Sequence, residues 1–404
     1  MALASAFIMA ACSIPVFTFG LFLEPLMIDF GWSRGPLSLA PSIAYVLAGF
    51  LGIVTGKLSD RYGPRVLVTI GGTMMGVGFL LMSRVSTLRD IYVYWGTFMG
   101  LAVGCFISPL FSTIPRWFLQ KPGTAVSILA TGFGVGALVS PLLVQMLISA
   151  YGWQKAFPIL AVAAWAIVVP LAQLLKKSPA QMGERLCGAS DNAGNQAIDA
   201  SMEGLSLGEA VRMAPFWLYG VIGVLWSFCS QAIVVHIVPY ATATGIVEVA
   251  AVGILSAIGG ASLVSRASMG FVSDRLGARK ALGACLMLAM LALGWLIFAQ
   301  GVLGLYVFAI AFGLASGALM PLMTLVPAEL FGTKSLGAII GVLTVYFTVG
   351  GAGGAPFAGY VFDATGSYLP SLRGLAVISI VGTILGVVLL KYGGKDHSTR
   401  SFTY

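Results

Sequence analysis

A short charged stretch that occurs twice decides the fold of this chain. Residues 56–65 read GKLSDRYGPR, and residues 270–280 read GFVSDRLGARK. Both fit the pattern G-x-x-x-D-R-x-G-x-R, and each directly follows a long apolar run. Two matches at corresponding places indicate that the chain contains an internal duplication.

Twelve apolar runs surround these two stretches, each with about the 20 residues that a membrane-spanning helix needs. We therefore predict an all-α membrane protein in which twelve transmembrane helices form two pseudo-symmetric six-helix bundles, an architecture known among secondary transporters. The predicted spans lie at 4–27, 37–58, 66–84, 91–114, 123–150, 155–175, 214–240, 247–273, 280–299, 302–326, 335–361 and 371–391.

The predicted domain organisation follows from the long polar segment between the sixth and seventh runs. We expect residues 1–175 to form the first bundle and residues 214–391 the second. Residues 176–213 are interpreted as a cytoplasmic linker, with a short surface helix from Ser206 to Met213. Residues 392–404 form a cytoplasmic tail.

Composition supports the membrane prediction. The chain is 58% hydrophobic and only 9% charged, with a mean hydropathy of +0.97. A soluble domain carries about 25% charged residues, so lipid is the solvent that this composition fits. The five cysteines have no metal or redox spacing, and we expect them to be small buried side chains. The first run is long enough to be a retained helix rather than a cleaved signal.

The net charge of +8 is explained by topology rather than by nucleic acid. About sixteen Lys and Arg residues lie in the even-numbered connections, the linker and the tail, against about five on the opposite side. The positive-inside rule therefore predicts that both termini are cytoplasmic. The remaining cation, Arg266, lies inside the eighth span.

The repeated stretches have a physical rationale as a conformational latch. Their glycines permit tight turns, and their acids lie where they can pair with loop arginines or a neighbouring helix N-terminus. The alternative is a turn that only fixes topology, and both roles could hold together. The predicted latch comprises Asp60, Arg61 and Arg65 in the first copy and Asp274, Arg275 and Arg279 in the second.

The paired stretches resemble those of the major facilitator superfamily, and the resemblance covers the whole chain. A narrower likeness is to monocarboxylate transporters and oxalate/formate antiporters. It is carried by residues 19–25 with 30–34 in the first helix, by 116–118 with Lys121, Gly123, Ala125 and Gly132 in the fifth, and by 265–270 in the eighth.

Arg266 is the sharpest functional signal. A buried cation costs several kcal/mol, of order 3 or more, unless it is paired or lines an aqueous cavity. No acid lies within a turn or two of it in the span, so it is a candidate to bind a carboxylate through its planar fork. The alternative is a pair with an acid from another helix. In the family, Arg266 is similar to the arginine that holds the substrate carboxylate.

Two departures from the family bear on substrate and coupling. Ser262 stands where animal monocarboxylate transporters carry an aspartate, which puts coupling through that aspartate in doubt. Phe347 stands where the oxalate exchangers carry a lysine. One cationic site rather than two favours a monoanion over a dianion.

Two further residues are candidates for proton coupling. His236 lies in the outer part of span 7 and could gate the cavity, bind a carboxylate or accept a proton. A histidine bonded to a backbone carbonyl near the interface is the alternative. Glu24 could take up a proton if partly buried, or could be an interfacial acid exposed to water.

The other cavity candidates follow from position alone, and helix packing is an alternative for each. The glycines of spans 5 and 11 are interpreted as helix contacts. The candidates are Phe17, Cys105, Ile107, Ser108, Ser316, Met320, Tyr346 and Phe347.

These features predict a monomeric secondary transporter of a bacterial inner (plasma) membrane that carries small monocarboxylates such as lactate or pyruvate with a proton. Its partners would be a small organic monoanion, a proton and the lipid bilayer, with no cofactor, metal or nucleic acid. Anion exchange, efflux of hydrophobic drugs and a non-transporting sensor are the alternatives. An enzyme is not indicated, because no nucleophile–base set or phosphate loop is visible.

Overall fold

The computed structural model describes residues 2–113, 122–175, 204–332 and 334–391. The predicted linker therefore falls largely outside the described residues, as does the tail at 392–404. At the end of the linker, Ser206 caps a short helix from Leu207 to Ala210, where a surface helix was predicted.

Twelve helices in the described residues are long and apolar enough to cross a membrane, which confirms the predicted fold class. Two of these spans are interrupted. The bounds are Ala2–Phe17 with Phe19–Phe30 (span 1), Arg34–Tyr62 (span 2), Pro64–Met82 (span 3), Leu88–Ile91, a π-helix Tyr92–Thr97 and Phe98–Thr113 (span 4), Pro122–Tyr151 (span 5), Trp153–Gln173 (span 6), Ala214–Ala243 (span 7), Glu248–Leu276 (span 8), Ala278–Phe298 (span 9), Gly301–Phe331 (span 10), Leu336–Thr365 (span 11) and Leu369–Lys391 (span 12).

The two repeated stretches have the same backbone geometry. Gly63 and Gly277 both adopt a φ of 83°, and each donates its N–H to the serine carbonyl four residues earlier, at 2.9 and 2.8 Å. A residue with a Cβ is strained at this φ, which explains the glycine at both places. The Asp-Arg pair of each stretch lies in the last helical turn before this glycine rather than in the loop.

The two halves meet along two seams, one between spans 2 and 11 and the other between spans 5 and 8. Spans 2 and 8 occupy corresponding places in the duplicated halves, as do spans 5 and 11. The two seams are therefore equivalent: each joins the second helix of one half to the fifth helix of the other, as a pseudo-two-fold axis requires. Glycines allow the close approach: a Cβ on Gly359 would meet the carbonyl of Arg34, and one on Gly134 would meet Leu263.

The two faces of the membrane are distinguished by the ends of span 2. We call the side where span 2 ends at Tyr62 and span 8 ends at Leu276 the motif side. The side where span 2 begins at Arg34 and span 11 ends at Thr365 is the gate side.

Span 1 is broken near its middle. Its first helix ends at Phe17 and its second begins at Phe19. The Thr18 hydroxyl donates to the Ile14 carbonyl at 2.7 Å, and Pro15 has no N–H to continue the ladder, two features that bend helices. The first helix packs on span 5 of its own half, whereas the second packs on span 7 of the other half.

Candidate functional site

Arg266 lies in span 8 beside the 5–8 seam. Its Nε and Nη1 atoms are buried and have no hydrogen-bond partner. Its neighbour Ser262 is also buried, and the Ser262 hydroxyl donates to the Gly259 carbonyl at 2.8 Å. No hydrogen bond joins that hydroxyl to Nε or Nη1 of Arg266. The guanidinium therefore retains its capacity to donate hydrogen bonds to a ligand.

The acids of the described residues do not neutralise Arg266. Glu329 forms an ion pair with Arg279. Asp274 and Glu248 are exposed. The other acids with described partners bond elsewhere: Asp29 to Trp153, Asp90 to Ser86 and Thr87, Glu209 to Ser206, and Asp363 to Arg34 and Gly35.

An aromatic ring from the other half faces Arg266. Its Cζ lies 5.2 Å from the ring centroid of Phe133 in span 5, within the range of a cation–π contact. Phe133 in turn meets Phe17 edge-on, with centroids 5.8 Å apart. Arg266 is thus directed into the space between the halves, and Phe17 is one of the predicted cavity residues that the structure brings near it.

The gate side is closed by a carboxylate on a helix N-terminus. Asp363, near the end of span 11, accepts the backbone N–H groups of Arg34 at 3.0 Å and Gly35 at 2.7 Å. These are unpaired donors of the first turn of span 2, and the helix dipole favours an anion there. The Arg34 guanidinium lies over the Phe362 ring, 3.9 Å from its centroid, and donates to Tyr368 Oη at 2.7 Å.

His236 is part of this gate. Its Nε2 lies 2.9 Å from the Ala355 carbonyl and 3.1 Å from Ser38 Oγ of the other half. Its Nδ1 lies 3.1 Å from Tyr368 Oη. The imidazole is 3% exposed, so water does not compete for these bonds. The bond to the Ala355 carbonyl is the one that the alternative prediction, a packed histidine, leads us to expect. The bond to Ser38 in addition joins His236 to the other half.

Further side-chain hydrogen bonds join the two halves. Besides those of Arg34, Asp363 and His236, Tyr45 and Ser227 lie 3.3 Å apart, and Thr242 donates to Glu24 at 3.5 Å. The contacts of Arg34, Asp363 and His236 therefore hold the two halves together at the gate side.

Several predicted cavity residues contact helices within their own half. A Cβ on Gly71 of span 3 would touch Cys105, and one on Gly56 of span 2 would touch Ser108. Ser316 donates to its own helix at Gly313. The rings of Tyr346 and Phe347 pack on span 7, against Trp217 and Tyr219. Ile107 and Met320 are half-buried. The cavity role of these residues stays a prediction.

The predicted latch residues also have partners within their own half. Arg279 Nε donates to Glu329 Oε1 at 2.6 Å, and Arg65 Nε donates to Gln173 at 2.6 Å. Arg275 lies over the ring of Phe271, one helical turn earlier, and Arg61 lies over the ring of Tyr62, the next residue in the chain. The Asp60 side chain falls outside the described residues.

Glu24 lies at the gate side and is exposed. Its contact with the Thr242 hydroxyl, at 3.5 Å, is long. This placement fits the interfacial alternative better than a buried proton site.

Sequence reasoning missed Phe133, Arg34 as a gate residue, Asp363 and Tyr368. Phe133 was visible as an aromatic residue between Gly132 and Gly134, where a bulky side chain interrupts a glycine-rich helix face. Arg34 is one of the few cations predicted on the less positive side, and Asp363 lies just beyond the end of the predicted span 11. Nothing in the sequence pairs them with each other.

Three features are typical of a membrane transport protein: two bundles of six helices, a half-buried arginine whose Nε and Nη1 have no hydrogen-bond partner in the described structure, and polar contacts between the bundles at one side. A family model described as Major Facilitator Superfamily matches residues 1–268 and 252–402. The chain belongs to that superfamily, so it is a multi-pass membrane transporter and not an enzyme.

Relatives and solved structures agree with this assignment. The chain is 27% identical to the MFS transporter asaE of Aspergillus flavus over 370 residues, 90% of this chain and 79% of that protein. It is 27% identical to monocarboxylate transporter 13 of Rattus norvegicus over 376 residues, 92% and 84% of the two chains. It is 25% identical to the agnestins efflux protein AgnL12 of Paecilomyces divaricatus, over 83% of this chain and 73% of that protein. A crystal structure of the peptide transporter POT superposes with a TM-score of 0.74 at 16% identity, covering 96% and 93% of the two chains, which shows the fold alone.

Proposed function

We propose that this transporter carries small monocarboxylates, of the lactate or pyruvate type, together with a proton by alternating access. The observation that carries the proposal is the unpaired guanidinium of Arg266, directed between the halves with Nε and Nη1 free. A carboxylate can accept two parallel hydrogen bonds along one edge of a guanidinium, donated by Nη2 together with either Nε or Nη1. Relatives named monocarboxylate transporters support the same substrate class.

The proposed cycle depends on the charge of Arg266. An unpaired buried cation opposes the closure of apolar surfaces around it, because closure removes the remaining water. A bound monoanion neutralises the cation, so the loaded carrier closes more readily. One cationic group suits one carboxylate, and Phe133 with Phe17 offers an apolar wall for the rest of a small organic acid.

The proposed orientation places the motif side in the cytoplasm. It follows from the excess of Lys and Arg in the connections on that side, and it puts both termini in the cytoplasm. On this orientation, the structure has its gate closed toward the outside. We propose a bacterial inner membrane as the location and a monomer as the working unit.

The test is uptake of labelled lactate or pyruvate into proteoliposomes under an imposed pH gradient. Arg266→Gln and Arg266→Lys should reduce uptake by at least about tenfold, since truncating one partner of a buried charged pair costs about 2–5 kcal/mol. Arg373→Gln, which removes an exposed arginine of span 12, is the matched control and should transport normally. Normal uptake by both Arg266 variants would contradict the proposal.

Anion exchange is the second candidate, because the eighth-helix segment around Arg266 resembles that of the oxalate/formate antiporters. Exchange predicts uptake that is stimulated by preloaded anion and insensitive to a protonophore. Efflux of a larger organic compound is a third candidate, supported by the similarity to the efflux protein AgnL12. Efflux of such a compound predicts that the purified transporter does not bind labelled monocarboxylates.

A further inference from the structure

The hydrogen-bond network around His236 has a definite arrangement of donors and acceptors. The Ala355 carbonyl can only accept, so Nε2 carries the hydrogen of the imidazole. Ser38 Oγ donates its own hydrogen to the Arg34 carbonyl at 2.7 Å and therefore also accepts from Nε2. With the hydrogen on Nε2, the Ala355 carbonyl and Ser38 Oγ can both accept from the imidazole.

The other side of the ring depends on Tyr368. Its oxygen accepts from Arg34 Nη1 at 2.7 Å, a bond in which arginine can only donate. Its own hydrogen then points to His236 Nδ1 at 3.1 Å, which must accept. Burial raises the pKa of Tyr368 to about 12, so the phenol keeps this hydrogen throughout the physiological range. The chain of donors runs from Arg34 through Tyr368 to a neutral His236.

A second proton on His236 is incompatible with this chain. Nδ1 would become a donor facing the hydrogen of Tyr368, and the imidazolium would be separated from the Arg34 cation by one phenol oxygen. The Asp363 carboxylate offers little compensation, because its oxygens accept the backbone N–H groups at the start of span 2. The remaining charged and titratable groups near this end are Tyr240, whose ring meets that of Tyr368 edge-on, and exposed Glu24, Glu248 and Arg373.

We propose that Tyr368 is a positioning residue that lets the gate close only over a neutral His236. The inference rests on the proposed proton coupling, takes His236 as the proton-accepting candidate, and specifies its place in the cycle. His236 binds a proton from outside while the gate is open, and the Nδ1–H bond must break, passing the proton to water, before the gate closes. The proton therefore does not cross the membrane on His236; closure is conditional on its departure.

The experiment measures the gate directly, without any cargo. Spin labels are attached at Tyr151→Cys and Val249→Cys, two exposed positions on the gate side of opposite halves, in a Cys187→Ser background. Distance distributions by electron–electron double resonance are recorded in lipid nanodiscs from pH 8 to pH 5. The ratio of open to closed gate should rise as the pH falls, by up to about tenfold per pH unit, which is the limit for one proton.

Variants separate the roles within the network. His236→Gln should abolish the pH response, and Tyr368→Phe should reduce it, because the phenol hydrogen that rejects the protonated ring is gone. Tyr240→Phe is the matched control and should respond like the unchanged protein, since the described structure gives its hydroxyl no bond. A folded Tyr368→Phe variant is recognised by an unchanged distance at pH 8.

A gate distance that does not change with pH in the unchanged protein would overturn the proposal. That result would follow if the Tyr368 hydrogen turned instead to Ser371 Oγ, which is buried, unpartnered and borders the same small cavity. A pH response that survives in His236→Gln would overturn it too. Neither result depends on which cargo is carried, so failure here is distinguishable from failure of the monocarboxylate assignment.

Discussion

Asp363 caps the helix that begins at Arg34, although 329 residues separate the two in the chain. The cap crosses from one half of the transporter to the other. The backbone N–H groups at the start of this helix therefore donate to an acceptor that the opposite half supplies. Opening the gate side must expose these donors to water, and the strength of the cap contributes directly to the balance between the two states.

Asp363→Ala should therefore favour an open gate. Loss of a carboxylate cap typically costs about 1–2 kcal/mol, which corresponds to about a 5- to 30-fold rise in the ratio of open to closed gate. The spin-label distance between positions 151 and 249 at pH 8 measures this ratio. Asp29→Ala is the matched control, because Asp29 accepts from Trp153 within its own half and its loss should leave the distance unchanged.

Phe133→Leu should weaken binding of the monoanion. The ring lies within cation–π range of the guanidinium, with Cζ 5.2 Å from the ring centroid. We therefore expect the affinity to fall by about 3- to 30-fold, the range that a partly desolvated cation–π contact implies. Isothermal titration with lactate or pyruvate measures the effect. Phe133→Trp should retain most of the affinity, since it preserves the π-face.

A control for Phe133 lies in the same half. Phe79→Leu in span 3 removes a fully buried ring that has no contact with Arg266 in the described structure and should lower stability without lowering affinity. If stepwise fluorination of the Phe133 ring, which weakens its π-face at nearly constant shape, left the affinity unchanged, the contact would be packing alone.

Gly63→Ala and Gly277→Ala should each destabilise the protein by about 1 kcal/mol or more, because a Cβ is strained at a φ of 83°. Thermal unfolding in detergent measures the loss. Gly337→Ala is the matched control: this glycine is helical, has open space around its Cβ position, and its substitution should be neutral or slightly stabilising. Equal losses at all three positions would argue against the special role of the two repeated turns.

Glu24→Gln should leave the pH dependence of uptake nearly unchanged, because Glu24 is exposed and has only a long contact with Thr242. His236→Gln should alter that dependence. Uptake of labelled lactate at external pH 5 to 8 compares the two variants. The reverse pattern would assign proton coupling to Glu24.

The sequence predicted the spans well because each span is a local property of composition and length. The two motif turns were equally accessible, since a glycine four residues after a serine in both copies reflects one local backbone geometry. Arg266 was identifiable because a lone charge in an apolar run is conspicuous. In each case the information lies within about ten residues of the feature.

The rest could not be predicted because it depends on rotation and on distant pairing. Cys105 and Tyr346 lie on helices that are apolar all round, so the sequence does not show which face meets a neighbour. Asp363 meets Arg34, and His236 meets Ser38, only because spans from different halves come together at the gate side. Phe133 was passed over because its flanking glycines favoured a packing interpretation of the whole segment.

The interruption of span 1 at Thr18 has a consequence for how the halves move. The helix before Thr18 is tied to span 5, where Gly132 and Gly136 contact Ala6 and Ala10, while Gly20 after it contacts Val235 of the opposite half. A rigid rod attached to both bodies would oppose their rotation. A break near the middle of the span instead allows one segment to tilt while the other stays in place. The contacts with span 5 and with span 7 can then both persist through the transport cycle.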